Sequence, residues 1–325
     1  MSLTLPRRGL AALALAMPGV ARAQLLPRPA RLIIGYAAGT AMDTVARLYA
    51  REWQGEYAAG VVVENRTGAN GRLAVEAVKT AAPDGATILM TPESALTIFP
   101  AVYGANLRYD PLVDLLPVGA TSGFAYSFAV GANHPARTFA EFVAWGRTQQ
   151  DITYGSPAAG SGLHFLTVLM ARRFGMNMTH VPYRETAQML SDLEALRLGA
   201  AMQVGGNVTQ LHQAGRLRVL AVSSEDRVPS LPDVPSFAEL GYPEMTALAL
   251  YGLALPAGTP QPMADKLAQL TLAAAAKPDL REVLARLDQA PVTSFPTPAA
   301  FAARIRQEQE RWAPIVRESG FRAES

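Results

Sequence analysis

The 325-residue chain has no cysteine, only four histidines, and no stripe of lysine and arginine. The lack of cysteine excludes disulfides and thiolate chemistry, and a chain of this size can bury an adequate core without disulfides. No histidine or carboxylate has a partner at the spacing of a metal site, so we expect neither a metal nor a cofactor. Without a basic stripe, nucleic acid is not an expected partner.

The chain also lacks an apolar run of the roughly 20 residues that a membrane-spanning helix needs. Residues 1–23 have the pattern of an export signal instead: Arg7 and Arg8 precede a short apolar stretch, and a small-x-small pattern ends at Ala23. The predicted mature N-terminus is Gln24, in the periplasm. The paired arginines fit both a Sec signal and a twin-arginine signal. Removing the leader takes away three arginines and no acid, so the formal net charge falls from +2 to −1.

Short β-branched runs alternate with amphipathic stretches, a pattern typical of α/β proteins with βαβ units and a mostly parallel sheet. Strands are predicted at 31–36, 60–65, 86–90, 124–130, 151–156, 178–183, 200–204 and 217–223, with helices between them. The series is too long for one compact sheet, and 118–125 joins its halves as extended chain. We therefore expect two sheets in two lobes. A C-terminal helix should dock on a core through Phe301, Ile305, Trp312 and Val316.

Two predicted strand–loop–helix elements have the composition of an anion site. Residues 36–43 (YAAGTAMD) open the mature chain, and residues 155–164 (GSPAAGSGLH) form a similar glycine- and serine-rich loop. The first turn of a helix leaves its N–H groups unpaired, and the helix dipole favours negative charge there. Thr40 and Ser161 stand at N-cap positions. Capping alone and capping combined with anion binding are both open for these residues.

Other chemistries fit the second element poorly. Gly155 and Gly160 have P-loop spacing, but Ser161-Gly162 stand where Lys-Ser or Lys-Thr would be needed. The Gly-x-Ser-x-Gly pattern is absent and no nucleophile–base pair is predicted, so the chain is not expected to be an enzyme and a serine hydrolase is a weaker alternative. An effector-binding domain of a transcription regulator and a receptor for a periplasmic signalling partner are further alternatives.

The mature chain resembles the substrate-binding proteins of tripartite tricarboxylate transporters, the Bug or TctC-like family. The resemblance covers residues 30–322 and rests on motifs in a fixed order: VVVENRTGANG (61–71), AAPDGATILM (81–90), RYDPLVDLLPV (108–118), THVPYR (179–184), AGRLRVLAVSSEDR (214–227), LPDVPSFAELGYP (231–243) and YGLALPAGTP (251–260). It implies a bilobal fold of the type II periplasmic-binding-protein (Venus flytrap) kind with a hinge. The implied lobes are residues 24–123 with 225–325, and residues 124–224.

The same resemblance implies a monomeric receptor that holds a small carboxylate in the interlobe cleft and delivers it to membrane transporter subunits. Carried over position by position, the implied ligand-binding residues are Tyr36, Gly39, Thr40, Asp43, Glu93, Ser94, Ser156, Ala159, Gly160, Ser161, His164, Tyr183, Gln203 and Asn207. For Asp43, Glu93 and His164, structural roles are open beside ligand contact.

Neither loop contains lysine or arginine, so amides and hydroxyls should hold the carboxylate. A mono- or dicarboxylate is therefore easier to accommodate than a tricarboxylate. Ala158, Ala159 and Leu163 make the second loop less polar than in most relatives, which favours a ligand with an apolar or aromatic body. Glu93 is most simply a solvated rim residue, but it would favour an amine-bearing ligand if it faced the cleft.

Overall fold

Within residues 26–156, 159–183 and 185–323, which the computed structural model describes, ten strands form one continuous sheet. The strands are β1 (Ala30–Ile34), β2 (Val61–Asn65), β3 (Thr87–Pro92), β4 (Leu115–Gly131), β5 (Ile152–Ser156), β6 (Met178–Pro182), β7 (Ala200–Val204), β8 (Leu217–Val222), β9 (Leu248–Pro256) and β10 (Ala290–Pro291). The predicted export signal, residues 1–23, and the predicted N-terminus Gln24 lie outside this part of the chain.

Helices flank the sheet on both faces. They are α1 (Ala41–Trp53), α2 (Arg72–Lys79), α3 (Ser94–Thr97), α4 (Phe99–Tyr103), α5 (Phe139–Gly146), α6 (Gly162–Phe174), α7 (Thr186–Glu194), α8 (Gly205–Gln213), α9 (Gln261–Ala275), α10 (Pro278–Arg286) and α11 (Pro298–Ser319). No helix in the described ranges is long and apolar enough to cross a membrane.

The long strand β4 belongs to both halves of the molecule. Its first part pairs with β9 and β10, and its second part pairs with β7 and β8. The order is β2-β1-β3-β9-β4 around the first lobe and β4-β7-β5-β6 around the second. The sequence indicated a strand only at 124–130, after an extended connection at 118–125. Both belong to β4, so the two lobes share one continuous strand.

The sheet is mixed rather than mostly parallel. β1 pairs in parallel with β2 and β3, and β5 pairs in parallel with β6 and β7, as expected for βαβ units. β4 and β9 run antiparallel to their neighbours, because in each of them the chain passes from one lobe to the other. The two predicted sheets are therefore joined through antiparallel crossing strands.

Each lobe has its own apolar core, and α11 contributes to both. The first lobe buries Tyr49 and Trp53 of α1 against β1 and β3. Phe301 and Ile305 of α11 pack on the other face of that sheet. Farther along the helix, Trp312 packs with the second lobe. Burying one such large side chain contributes about 1.5–3 kcal/mol, so α11 ties the two lobes together.

Candidate functional site

The first loop, residues 36–43, connects β1 to α1. Gly39 has a φ of 83°, which glycine adopts without strain. The Thr40 hydroxyl accepts a hydrogen bond at 3.3 Å from the amide three residues on, so the predicted N-cap is confirmed. The amides of Ala37 and Ala38 donate to no residue of the described part. Both amides precede the N-cap Thr40, in the turn that leads into α1, and neither has an acceptor among the described residues, so a ligand can use them.

Asp43 braces the first loop from inside. Its carboxylate accepts hydrogen bonds from Arg47 at 2.9 and 3.0 Å, from the Gly39 amide at 3.0 Å and from the Asn65 side chain at 2.9 Å. The hydrogen bonds from Arg47 lower the pKa of Asp43 to about 2. Asn65 also donates to the Tyr36 carbonyl at 2.9 Å. The carboxylate of Asp43 thus fixes the backbone that presents the free amides.

The second loop, residues 155–164, leads from β5 into α6, and Ala158 within it lies outside the described residues. Gly160 has a φ of 80°, and the half-buried Ala159 precedes it. The Gly160 amide donates to His164 Nδ1 at 3.2 Å, so this amide is already used within the loop. Ser161 occupies the N-cap position of α6, as the sequence indicated.

Two histidines pack under the second loop. The His164 and His180 rings stack with centroids 4.4 Å apart, and burial lowers their pKa values to about 3 and about 4. Ser156 Oγ lies 2.8 Å from His180 Nε2. The expectation that no nucleophile–base pair exists is therefore wrong, because neighbouring parallel strands bring these residues together. Ser156 is fully buried, however, so in this arrangement its hydroxyl is not exposed to a substrate.

Aromatic side chains of the crossing strands lie between the two loops. A Cβ atom built on Gly162, the first residue of α6, would lie 2.7 Å from the Tyr126 hydroxyl, so this phenol covers the helix start. Phe124 contacts the rings of Tyr126 and Tyr251 at centroid distances of 6.3 and 5.2 Å. Burial raises the pKa of Tyr36 to about 12 and those of Tyr126 and Tyr251 further. These phenols stay neutral and can donate hydrogen bonds.

Glu93 does not lie on a solvated rim, which corrects the simplest interpretation of the sequence. Only 6% of its surface is exposed, and Arg304 of α11 donates to its Oε1 at 3.0 Å. Burial raises the pKa of Glu93 to about 7, although Arg304 opposes the shift. Arg304 also pairs with Glu308 at 3.0 Å. Glu93 and its neighbour Ser94 line a small cavity of about 50 Å³ beside Tyr126.

Three other predicted residues, Tyr183, Gln203 and Asn207, lie on the second lobe. Their side chains form hydrogen bonds with residues of that lobe. The Tyr183 hydroxyl donates to Asp192 at 2.9 Å. Gln203 is fully buried, and its side-chain oxygen accepts hydrogen bonds from Asn207 and from the Val204 amide, both at 3.0 Å. Asn207 is exposed near the start of α8.

Sequence reasoning missed the crossing-strand aromatics. Tyr126 stood in the predicted strand 124–130 and Tyr251 in the motif YGLALPAGTP, and neither tyrosine was singled out. A tyrosine within such a run is a usable signal, since a buried phenol needs a hydrogen-bond partner or a polar cavity. The pairing of β4 with β9 that brings both residues to one place depends on contacts more than 100 positions apart, so local patterns did not predict it.

Comparison with known proteins is consistent with this geometry. Residues 45–321 match the model of the tripartite tricarboxylate transporter family receptor. The UPF0065 protein in the gbd 5′ region of Cupriavidus necator is 32% identical over 280 residues, covering 85% of this chain and 84% of that protein. Protein BugT of Bordetella pertussis is 30% identical over 294 residues, covering 90% of each.

Solved structures resemble the whole fold. The periplasmic binding protein BugD is 29% identical with a TM-score of 0.76, covering 91% of this chain and 99% of its own. MatC of Rhodopseudomonas palustris with bound malate is 27% identical with a TM-score of 0.75, covering 89% and 99%. Another R. palustris protein, with adipate, is 26% identical with a TM-score of 0.79, covering 91% and 98%. These neighbours are binding proteins.

Proposed function

Because this chain belongs to the tripartite tricarboxylate transporter receptor family, we propose that it captures a small carboxylate between its two lobes and delivers it to the membrane subunits of such a transporter. The pair of helix starts carries this proposal. The turn before α1 presents the amides of Ala37 and Ala38, which have no acceptor among the described residues, and α6 begins beneath the Tyr126 hydroxyl. The relatives with bound malate and adipate support a carboxylate as the ligand class.

The carboxylate is held without a cationic side chain from either loop. The proposed contacts are the exposed amides of residues 37–38, the hydroxyls of Ser94 and Ser161, and the neutral phenol of Tyr126. The Thr40 hydroxyl joins them by exchanging its 2.8 Å hydrogen bond to the Ala37 carbonyl for one to the ligand. Each hydrogen bond to a charged acceptor contributes roughly 1.5–3 kcal/mol, so a few such bonds hold one carboxylate well. Among the other predicted residues, Asp43, Ser156 and His164 act by shaping the two loops, and Gln203 acts by holding the start of α8.

The ligand is a mono- or dicarboxylate with an apolar or aromatic body. Tyr36, Phe124, Tyr126 and Tyr251 supply aromatic surface next to the helix starts, and ring-to-ring contacts favour planar or apolar groups there. An amine on the ligand is not part of this proposal, because the Glu93 carboxyl is already paired with Arg304.

The protein is exported to the periplasm, and its leader is removed before Gln24. There it binds its ligand as a monomer and does not convert it to a product. N-terminal sequencing of periplasmic material tests the export step. Incubation with ester and amide substrates tests the absence of catalysis. Product formation that Ser156→Ala abolishes would favour a hydrolase, since Ser156 has a histidine partner.

Mass spectrometry of ligand retained on purification, followed by calorimetric titration with malate, adipate, benzoate and citrate, tests the proposed function. We expect stoichiometric binding of a mono- or dicarboxylate. Removing the Thr40 or Ser161 hydroxyl should weaken binding by about 1 kcal/mol. Thr138→Ala is the matched control for Thr40, because the Thr138 hydroxyl caps α5 as the Thr40 hydroxyl caps α1 and lies outside both loops. If citrate bound best and Gly160→Val left its affinity unchanged, the ligand site would lie elsewhere.

A further inference from the structure

The end of the chain reaches the second loop. Helix α11 leaves the first lobe after Ile305 and packs Trp312 and Val316 into the second core. It ends at Ser319, and the next residue, Gly320, has a φ of 71°. Gly320 adopts the left-handed conformation, which reverses the direction of the chain after the helix. The Phe321 amide donates a hydrogen bond to the Ser319 hydroxyl at 3.0 Å. The turn places the Phe321 ring against the second loop.

Phe321 contacts the two residues that form the hydrogen bond inside this loop. Its ring meets the His164 ring edge-on, with centroids 4.6 Å apart at 79°. A Cβ atom built on Gly160 would lie 3.2 Å from the Phe321 ring and 3.4 Å from Val102 of α4. Phe321 therefore covers both the donor and the acceptor of the Gly160–His164 hydrogen bond.

That hydrogen bond requires a neutral His164, because Nδ1 accepts the Gly160 proton and cannot do so when protonated. The aromatic and titratable groups around His164 are His180 of β6 and Tyr154 of β5, at centroid distances of 4.4 and 6.3 Å, Phe165 of its own helix, and Phe321. Burial is the main reason that the pKa of His164 is lowered, and nearby His180 adds to it. Phe321 supplies part of that burial from outside the loop.

We propose that Phe321 is a positioning residue for the ligand site: it shields His164 from water, so that His164 stays neutral and holds the Gly160 amide and the second loop in place. The ligand-binding role of that loop rests on the proposed function. The shielding of His164 and of the Gly160 amide rests on the contacts alone. The C-terminal residues thus take part in the ligand site without touching the ligand.

The test compares Phe321→Ala with Phe321→Leu and with Phe295→Ala, a half-buried aromatic that packs on Phe301 in the first lobe. In the ligand-free protein, NMR titration should show the pKa of His164 rising from about 3 towards its usual 6.5 in Phe321→Ala. Exchange of the Gly160 amide with solvent should become faster in the same variant. Phe321→Leu should shift both readouts less, since it keeps apolar cover, and Phe295→Ala should shift neither.

Binding of malate and of adipate is then measured by calorimetry at about pH 7.5 and about pH 6, where an unshielded histidine begins to protonate. Relative to the wild type at each pH, Phe321→Ala should lose affinity by about tenfold at the lower pH. This is the expected effect when the displaced second loop loses one hydrogen bond to the ligand carboxylate. Wild-type titrations in parallel correct for protonation of the ligand.

The outcomes separate this inference from the proposed function. Unchanged His164 titration and unchanged Gly160 exchange in Phe321→Ala would overturn the positioning role whatever the protein binds. If both readouts shift but the wild type binds no carboxylate, the shielding stands and the proposed function fails. If both shift while binding of malate or adipate is unaffected at either pH, the second loop is not part of the ligand site, and the positioning role is overturned.

Discussion

At the scale of single residues, polar side chains near the proposed ligand contacts are largely occupied by the protein itself. Asp43 has four hydrogen bonds from three residues, and only 4% of its surface is exposed. Because its folded pKa of about 2 lies below the usual 3.8, its stabilising effect is complete above pH 3.8 and is lost as the pH falls towards 2. The carboxylate contributes to ligand binding by holding the first loop.

Replacing Asp43 with alanine should therefore destabilise the fold and weaken ligand binding together. The change leaves the Gly39 amide and the Asn65 side chain without their acceptor, which should lower the free energy of unfolding by about 1–3 kcal/mol. Urea titration measures this. Glu282→Ala is the control, because Glu282 pairs with Arg286 on the surface and both side chains are largely exposed. Its loss should stay below about 0.5 kcal/mol, and an equal loss in both variants would contradict the bracing role of Asp43.

The stacked histidines should make the fold sensitive to mild acid. Their folded pKa values, about 3 for His164 and about 4 for His180, lie below the usual 6.5. Between those values the unfolded chain binds more protons, so stability is complete above pH 6.5 and decreases as the pH falls towards 4. One pKa unit corresponds to about 1.4 kcal/mol, so we expect a decrease on the order of 5 kcal/mol across this interval for the two histidines together.

Urea unfolding at a series of pH values checks the histidine prediction. His180→Gln keeps a hydrogen-bond partner for Ser156 but does not titrate, so its stability should fall less steeply with acid. Burial also lowers the pKa values of His134 and His212, and part of the slope should therefore remain. A slope identical to that of the wild type would show that the buried pair is not responsible.

At the scale of elements, the sequence predicted the features that depend on residues close together in the chain, such as helix caps and turns. The cap at Thr40, the turn at Gly39 and most of the strand–helix alternation follow from local composition, and the structure confirms them. The two-residue strand β10 is too short to show a period, whereas α10 was missed although Leu280, Val283, Leu284 and Leu287 have helical spacing. The burial of Glu93 was missed for another reason: Arg304, its partner, stands 211 positions later on α11. The burial of such a residue is determined by contacts between residues far apart in the sequence, which local patterns do not show.

Gly35, at the end of β1, shows how closely elements must approach to form the first loop. A Cβ atom on Gly35 would lie 2.5 Å from the Cα of Gly71, where backbone meets backbone and cannot easily move. Gly35→Ala should displace the first loop, lower the free energy of unfolding by about 1–3 kcal/mol and weaken binding of malate or adipate.

The matched control for Gly35 is Gly60→Ala, just before β2, where the added methyl group would be 4.0 Å from the Pro29 side chain. Urea titration and calorimetry should find Gly60→Ala close to the wild type. If Gly35→Ala is equally mild, the approach of the two backbones does not set the position of the loop.

At the scale of the whole molecule, β4, β9 and α11 link the lobes, and ligand binding should shift the lobes towards a closed arrangement that satisfies both helix starts at once. Small-angle scattering should therefore show a smaller radius of gyration when malate or adipate saturates the protein.

A disulfide across the lobes can test whether this movement accompanies binding. Gly205 at the start of α8 faces the turn between α10 and β10, and a Cβ atom on Gly205 would lie 3.9 Å from the Cβ of Asp288. This separation is within the usual range for a disulfide, about 3.5–4.5 Å. The chain has no cysteine of its own, so Gly205→Cys with Asp288→Cys gives a single possible pair. Oxidation should fix the lobes as they stand in this structure and abolish the ligand-dependent change in radius of gyration, and reduction should restore it. An equal change in the oxidised and reduced proteins would mean that binding does not require the lobes to move about this contact.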